Sequence, residues 1–167
     1  MTEDEIVALI PALRGAVEIK SPADENYNCI AWSLNDLHQW WWPTPTGTGR
    51  WPGKYWPTGI LNEETLAAFI ALYERLGFKK CSSGDFEEGY DKIAIYTDHL
   101  GTPTHAARWW QDDLGWSSKL GEENDILHHS LESLEGTAYG HVSQIMKKKR
   151  GRSRNSPRVA HIEKETT

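Results

Sequence analysis

The apolar positions of this chain keep a helical period in the first half and change to strand-like runs in the second. Ile6, Leu9, Ile10 and Leu13 recur at helical spacing and predict a short amphipathic helix over 4–14, with Pro11 marking a kink or an early end. Ser21-Pro22-Ala23-Asp24 and two asparagines then lead into Cys29-Ile30-Ala31-Trp32-Ser33-Leu34, which predicts a buried helix from Cys29 to about Trp40. A third helix is expected from Asn62, which can cap it. Glu63 and Glu64 fall in its first turn, Leu66, Phe69, Ile70, Tyr73 and Leu76 form its stripe, and Gly77 ends it. Phe78 to Cys81 reads as a short strand. From Asp91 the period becomes that of strands: Asp91–Thr97, a turn at His99–Pro103, Thr104–Trp110, a turn at Gln111–Gly115, and Trp116–Leu120. Asn124–His129 fits either a helix or a strand, and Tyr139–Met146 is a last short element. Helices followed by an antiparallel meander predict an α+β fold with the Cys29 helix packed on the sheet.

Between the second and third helices, 41–59 is dense in Trp, Pro, Gly and Thr. It is too broken for regular structure and too aromatic for a free linker. We read it as an ordered loop held down by its tryptophans and lining a cleft.

Composition narrows the possibilities. A chain of 167 residues is large enough for one domain with a core, expected over 1–146. Of its 18 Lys and Arg, eight lie from Lys147 onward beside two acidic residues, which leaves a body with 10 basic and 22 acidic residues. The segment 147–167 therefore reads as a basic, disordered tail. An acidic body argues against a nucleic-acid-binding domain, so contact with nucleic acid or an acidic partner is expected only through that tail. Two cysteines make no disulfide framework, and Met1-Thr2-Glu3-Asp4-Glu5 is acidic where a secretory signal is basic. No apolar run approaches the length of a membrane span. A reduced, cytoplasmic protein without membrane partners is expected.

Chemistry concentrates at Cys29. A thiol at a helix start sits in the positive end of the helix dipole, which favours the thiolate. A cysteine nucleophile also needs a base and donors for the developing oxyanion. His105, just past a hairpin turn, is the candidate base; Asn26 or Asn28, with the Cys29 N–H, are candidate donors. Trp32 and Trp56 are candidate substrate-contacting residues. A third group that orients the imidazole is sought on the next strand, where Ser118 is the first choice and Lys119 or Asp125 are alternatives. The opposing reading is a core thiol at a helix start. His128, His129 and His141 fit no metal motif, and neither a metal nor a cofactor is expected.

Asn-Cys-Ile-Ala-Trp, Lys-Ile-Ala-Ile-Tyr, His-Ala-Ala and Trp-Ser-Ser-Lys-Leu-Gly, in this order, resemble the papain-like cysteine hydrolases, in particular the NlpC/P60 and CHAP branches. The same blocks resemble an uncharacterised bacterial domain family. The papain-like resemblance implies Cys29 as nucleophile and His105 as base. It also aligns Ser118 with the position where papain carries an orienting Asn. Its implied activity is that of a peptidase, amidase or deamidase acting through a covalent acyl-enzyme on a peptide or amide substrate. The alternative is a non-catalytic protein-interaction module on the same fold, such as a toxin, an immunity protein or a phage accessory protein.

Overall fold

In the computed structural model, which describes residues 1–45 and 50–151, seven strands form one antiparallel sheet with helices on both faces. The elements in order are α1 (Glu3–Leu9), β1 (Glu18–Ile19), α2 (Cys29–Ser33), α3 (Leu66–Arg75), β2 (Lys79–Cys81), β3 (Tyr90–Thr97), β4 (Pro103–Trp109), β5 (Trp116–Lys119), β6 (Asp125–His129) and β7 (His141–Lys149). The sheet order is β1-β6-β5-β4-β3-β7-β2. The meander expected from the turn signals is therefore present as β3-β4-β5-β6, and the ambiguous stretch 124–129 supplies its last strand.

Strand alternation sorts the core into two clusters, one on each face. Ile93, Ile95, Ala106 and Met146 face α2, α3 and the tryptophans Trp42 and Trp56. Ala94, Tyr96, Ala107 and Ile126 face α1 and the turns at Pro11–Leu13 and Glu132–Leu134. Helix α1 ends at Leu9 because Pro11 has no N–H to continue it, as its position in the sequence suggested.

Helix α2 is much shorter than its apolar run implies. Asn28 caps it, its Oδ1 accepting the Ala31 N–H at 3.2 Å. At the other end Asn35 turns into the left-handed region (φ 59), while the Asp36 N–H reaches the Ala31 carbonyl at 2.9 Å and the Asn35 N–H the Trp32 carbonyl at 3.0 Å. This is a Schellman closure with asparagine in place of glycine, and it stops the helix well before Trp40. Helix α3 is capped by Thr65, not by Asn62, whose side chain accepts the Thr44 N–H at 2.7 Å and pins the loop instead.

The expected tail boundary is also corrected. Lys147–Lys149 belong to β7, an interior strand paired with both β3 and β2. Two cations of the run find carboxylates, Lys147 with Glu87 at 2.8 Å and Arg150 with Asp91 at 3.0 Å and Asp112 at 2.6 Å, while Lys148 and Lys149 are exposed to solvent. The rest of the tail, 152–167, lies outside the described residues. Among the described residues no helix is long and apolar enough to cross a membrane.

Ahead of β7, Gly136 and Gly140 bridge each other and close a tight loop that carries Tyr139. Gly140 has φ +79, and a Cβ on it would overlap the Thr97 carbonyl. Gly140→Ala is therefore expected to cost about 2 kcal/mol, read as a lowered urea midpoint at unchanged slope.

Candidate functional site

Cys29 opens α2 and is only 6% exposed. Three backbone N–H groups favour its thiolate: those of Ile30 and Cys29 itself at the helix start, and that of Ala106 from β4. The charge of Arg50 works in the same direction. Burial outweighs all four and pushes the thiol up to about 11. At neutral pH only about one molecule in ten thousand carries the thiolate. The local device that makes a reactive cysteine is thus present, but dry. The Ala106 N–H is free to meet the sulfur because β4 pairs with β5 only through Arg108 and Ser117, so the two strands part at this end.

His105 is the residue before Ala106, and it is 1% exposed. Its ring stacks on Tyr139 with centroids 4.1 Å apart and meets Tyr96 edge-on at 5.6 Å. Those partners belong to the cluster on the other face, whereas the Ala106 side chain packs with Cys29. The structure therefore brings the Cys29 sulfur to the backbone beside His105 and leaves the imidazole turned toward Tyr139. Nε2 of His105 is buried and has no hydrogen-bond partner among the described residues. Burial holds this ring well below its ordinary pKa, and the neighbouring His128 adds to the effect. The resting pair is a neutral thiol and a neutral imidazole.

The expected third member does not touch His105. The Ser118 hydroxyl lies 2.8 Å from Nε2 of His128, whose Nδ1 lies 2.8 Å from the Ser130 carbonyl. A carbonyl only accepts, so Nδ1 carries the proton and Ser118 donates to Nε2. Lys119 is committed elsewhere, donating to the carbonyls of Asp24 and Gly121 at 2.5 Å each. Asp125 accepts from Ser21 at 2.7 Å and Tyr27 at 2.8 Å on one oxygen, and its buried Oδ1 has no partner among the described residues.

The amides expected as oxyanion donors are also occupied. Asn28 caps α2, and its Nδ2 donates to the Trp41 carbonyl at 2.9 Å while its Oδ1 takes the Trp41 N–H at 3.1 Å, so the residue ties the Trp-rich loop to the helix start. Asn26 is exposed and folded back on Asp24 at 2.8 Å. Trp32 lies under the Arg108 guanidinium, 3.7 Å from its ring centre, and donates to Ser117 at 3.2 Å. Trp56 packs on Phe69 at 5.4 Å and donates to the Leu61 carbonyl at 3.1 Å. Both tryptophans build the walls of the body.

Sequence reading missed Tyr139 and Arg50, and weighed His128 only as a metal ligand, not as the partner of Ser118. Tyr139 lies close enough to Cys29 to feel a thiolate there and covers His105, and the glycines at 136 and 140 that aim it were its visible signal. Among the described residues no group of three or more His, Cys, Asp or Glu is placed to hold a metal ion. Cys29 and Cys81 are both free thiols.

Residues 18–147 match the model of a family described as a domain of unknown function (DUF7689), and the chain belongs to that family. No curated protein matches the chain, and no solved structure does.

Proposed function

We propose that this chain, as a member of the DUF7689 family, is a thiol hydrolase of amide or ester bonds, with Cys29 as nucleophile and His105 as its base, sealed in the resting state. The observation that carries the reading is the Ala106 N–H aimed at the Cys29 sulfur, which joins the start of α2 to the head of β4 where His105 stands. The helix-start thiol and the His on the second strand of a hairpin also agree with a papain-like arrangement of the NlpC/P60 or CHAP kind. In the reaction the His105 ring first leaves Tyr139 and turns toward the sulfur where β4 and β5 part, and the Cys29 proton then passes to it as the sulfur bonds to the substrate carbonyl carbon. The leaving amine or alcohol takes that proton, and water then hydrolyses the thioester. Both groups start neutral, so the imidazole acts as a true general base, and the three N–H groups around the sulfur favour the charge that develops on it. Ser118 has no part in this scheme, which is a dyad.

The test is acylation by p-nitrophenyl acetate, followed by peptide mass spectrometry. One acetyl group is expected on Cys29 and none on Cys81, with His105→Ala slowing acylation about a hundredfold. Acylation of both cysteines at similar rates, or a rate that His105→Ala leaves unchanged, would overturn the assignment. That outcome would favour the non-catalytic interaction module, the reading to which the deep burial of both groups lends weight.

A further inference from the structure

At the opposite end of α2 from Cys29 lies a cleft of about 420 Å³. This is within the range of small-molecule sites. Its walls are Leu34, Trp41, Leu76, Phe78 and Trp110, and Lys148 stands at its rim. Helix α2 is five residues long, so its length separates the cleft from the thiol, and Cys29 does not line the cleft.

The way charges are paired at the rim indicates what the cleft would take. Asp91 and Asp36 both line it, but both carboxylates are already satisfied. Asp91 receives the Gln111 N–H at 2.9 Å and pairs with Arg150 at 3.0 Å. Asp36 receives the His38 N–H at 2.9 Å, the Gln39 amide at 3.1 Å and the Trp41 indole at 2.8 Å. Arg150 is in turn held by Asp91 and Asp112. Once these pairs are made, Lys148 is left with no carboxylate partner among the described residues, and its ammonium lies 5.9 Å from the Phe78 ring centre. Lys149, also at the rim, has no carboxylate partner among the described residues either. Asp36 keeps its charge, since its donors are neutral, so the rim as a whole is close to balanced. The aromatic walls, with Lys148 outside any ion pair among the described residues, suit a flat hydrophobic body whose one negative group meets that lysine.

We propose that this cleft binds a small aromatic carboxylate, its ring between the indole and phenyl walls and its carboxylate on Lys148. The site does not depend on the thiol chemistry, and nothing in it needs Cys29.

Calorimetric titration of the full chain with 1-naphthoate tests the proposal. Saturable one-site binding is expected with Kd below about 1 mM. The neutral 1-naphthalenemethanol is expected to bind about five- to tenfold more weakly, and Lys148→Met to weaken naphthoate by the same factor while leaving the alcohol unchanged. Leu34→Trp, placed to fill the cleft, is expected to abolish binding of both, with its circular dichroism confirming that it folds. Cys29→Ser is expected to bind as the parent does. No saturable binding, equal affinity for acid and alcohol, or loss of binding in Cys29→Ser would each overturn the proposal. The last would also locate the ligand at the thiol site, a result distinct from failure of the hydrolase reading.

Discussion

Replacing Phe69 with alanine is expected to cost about 4 kcal/mol of stability and to open Cys29 to reagents. Phe69 is fully buried on α3, in the same cluster as Cys29. It is also the surface on which the Trp-rich loop rests. Trp42 meets its ring edge-on at 5.1 Å, and Trp56 lies against it at 5.4 Å. Other ties of that loop are hydrogen bonds, among them those between Asn28 and Trp41, from the Trp42 indole to Glu64 at 2.6 Å and from the Thr44 N–H to Asn62 at 2.7 Å. Such bonds are each worth about 1 kcal/mol net and cannot replace the aromatic contacts. The truncation leaves a void against two indoles that have no other ring at that distance among the described residues. In thermal unfolding the midpoint should fall by about 10 °C. The functional consequence is more specific. Burial alone keeps the Cys29 thiol near 11 against four favourable influences, so loosening its cover should let the pKa fall. Iodoacetamide should then label Cys29 faster in Phe69→Ala than in the parent, with Cys81 unchanged. A large loss of stability with no change at Cys29 would mean that the loop does not cover the thiol.

Much of the scaffold was legible because its signals are local. The meander follows from turn residues between apolar runs, and Pro11 and Gly77 end their helices where expected. What was not legible depends on partners distant in sequence. The extent of β7 is set by Glu87, Asp91 and Asp112, which turn a lysine run that looks like a solvated end into strand. The length of α2 had a readable signal in Leu34-Asn35, which the long apolar run masked. The site divides in the same way. Cys29 at a helix start and His105 at the head of a strand are local facts, and both elements form as read. Which way each side chain points depends on register. The shift between Trp116 and Ser117, and the extra residue Thr104 between the pairs Thr97–Pro103 and Tyr96–His105, decide what Ser118 and His105 face. A one-residue shift in pairing exchanges the faces of a strand, so a third catalytic member cannot be read from composition and spacing.

Acid is expected to unfold the protein earlier than its carboxylates alone would require, because two histidines are buried as neutral bases. His128 is 1% exposed and burial lowers it to about 4; His105, also 1% exposed, is held well below its ordinary value by burial and by the nearby charge that His128 would acquire. In the unfolded chain both take up protons near pH 6.5. Between that pH and the folded values the unfolded state binds more protons, so stability is complete above about pH 6.5 and falls as the pH drops. For His128 alone the loss is about 2 kcal/mol at pH 5 and about 3 kcal/mol at pH 4, and His105 adds a loss of the same sign. The carboxylates whose pKa values are lowered, Asp36 and Glu87, also lose stabilisation as the pH falls and add to the decline at its acid end. The Ser118–His128 bond does not block protonation, since the hydroxyl can turn and accept once Nε2 carries a proton; the cost is that of a charge without water. Urea midpoints measured from pH 7.5 to 4.5 should therefore fall steadily below pH 6.5. His128→Asn should be less stable at pH 7.5 but should lose less between pH 7.5 and 5 than the parent does. If the parent's midpoint stays flat to pH 5, neither histidine is held neutral by the fold; if His128→Asn shows the parent's full slope, His128 is not a source of the decline.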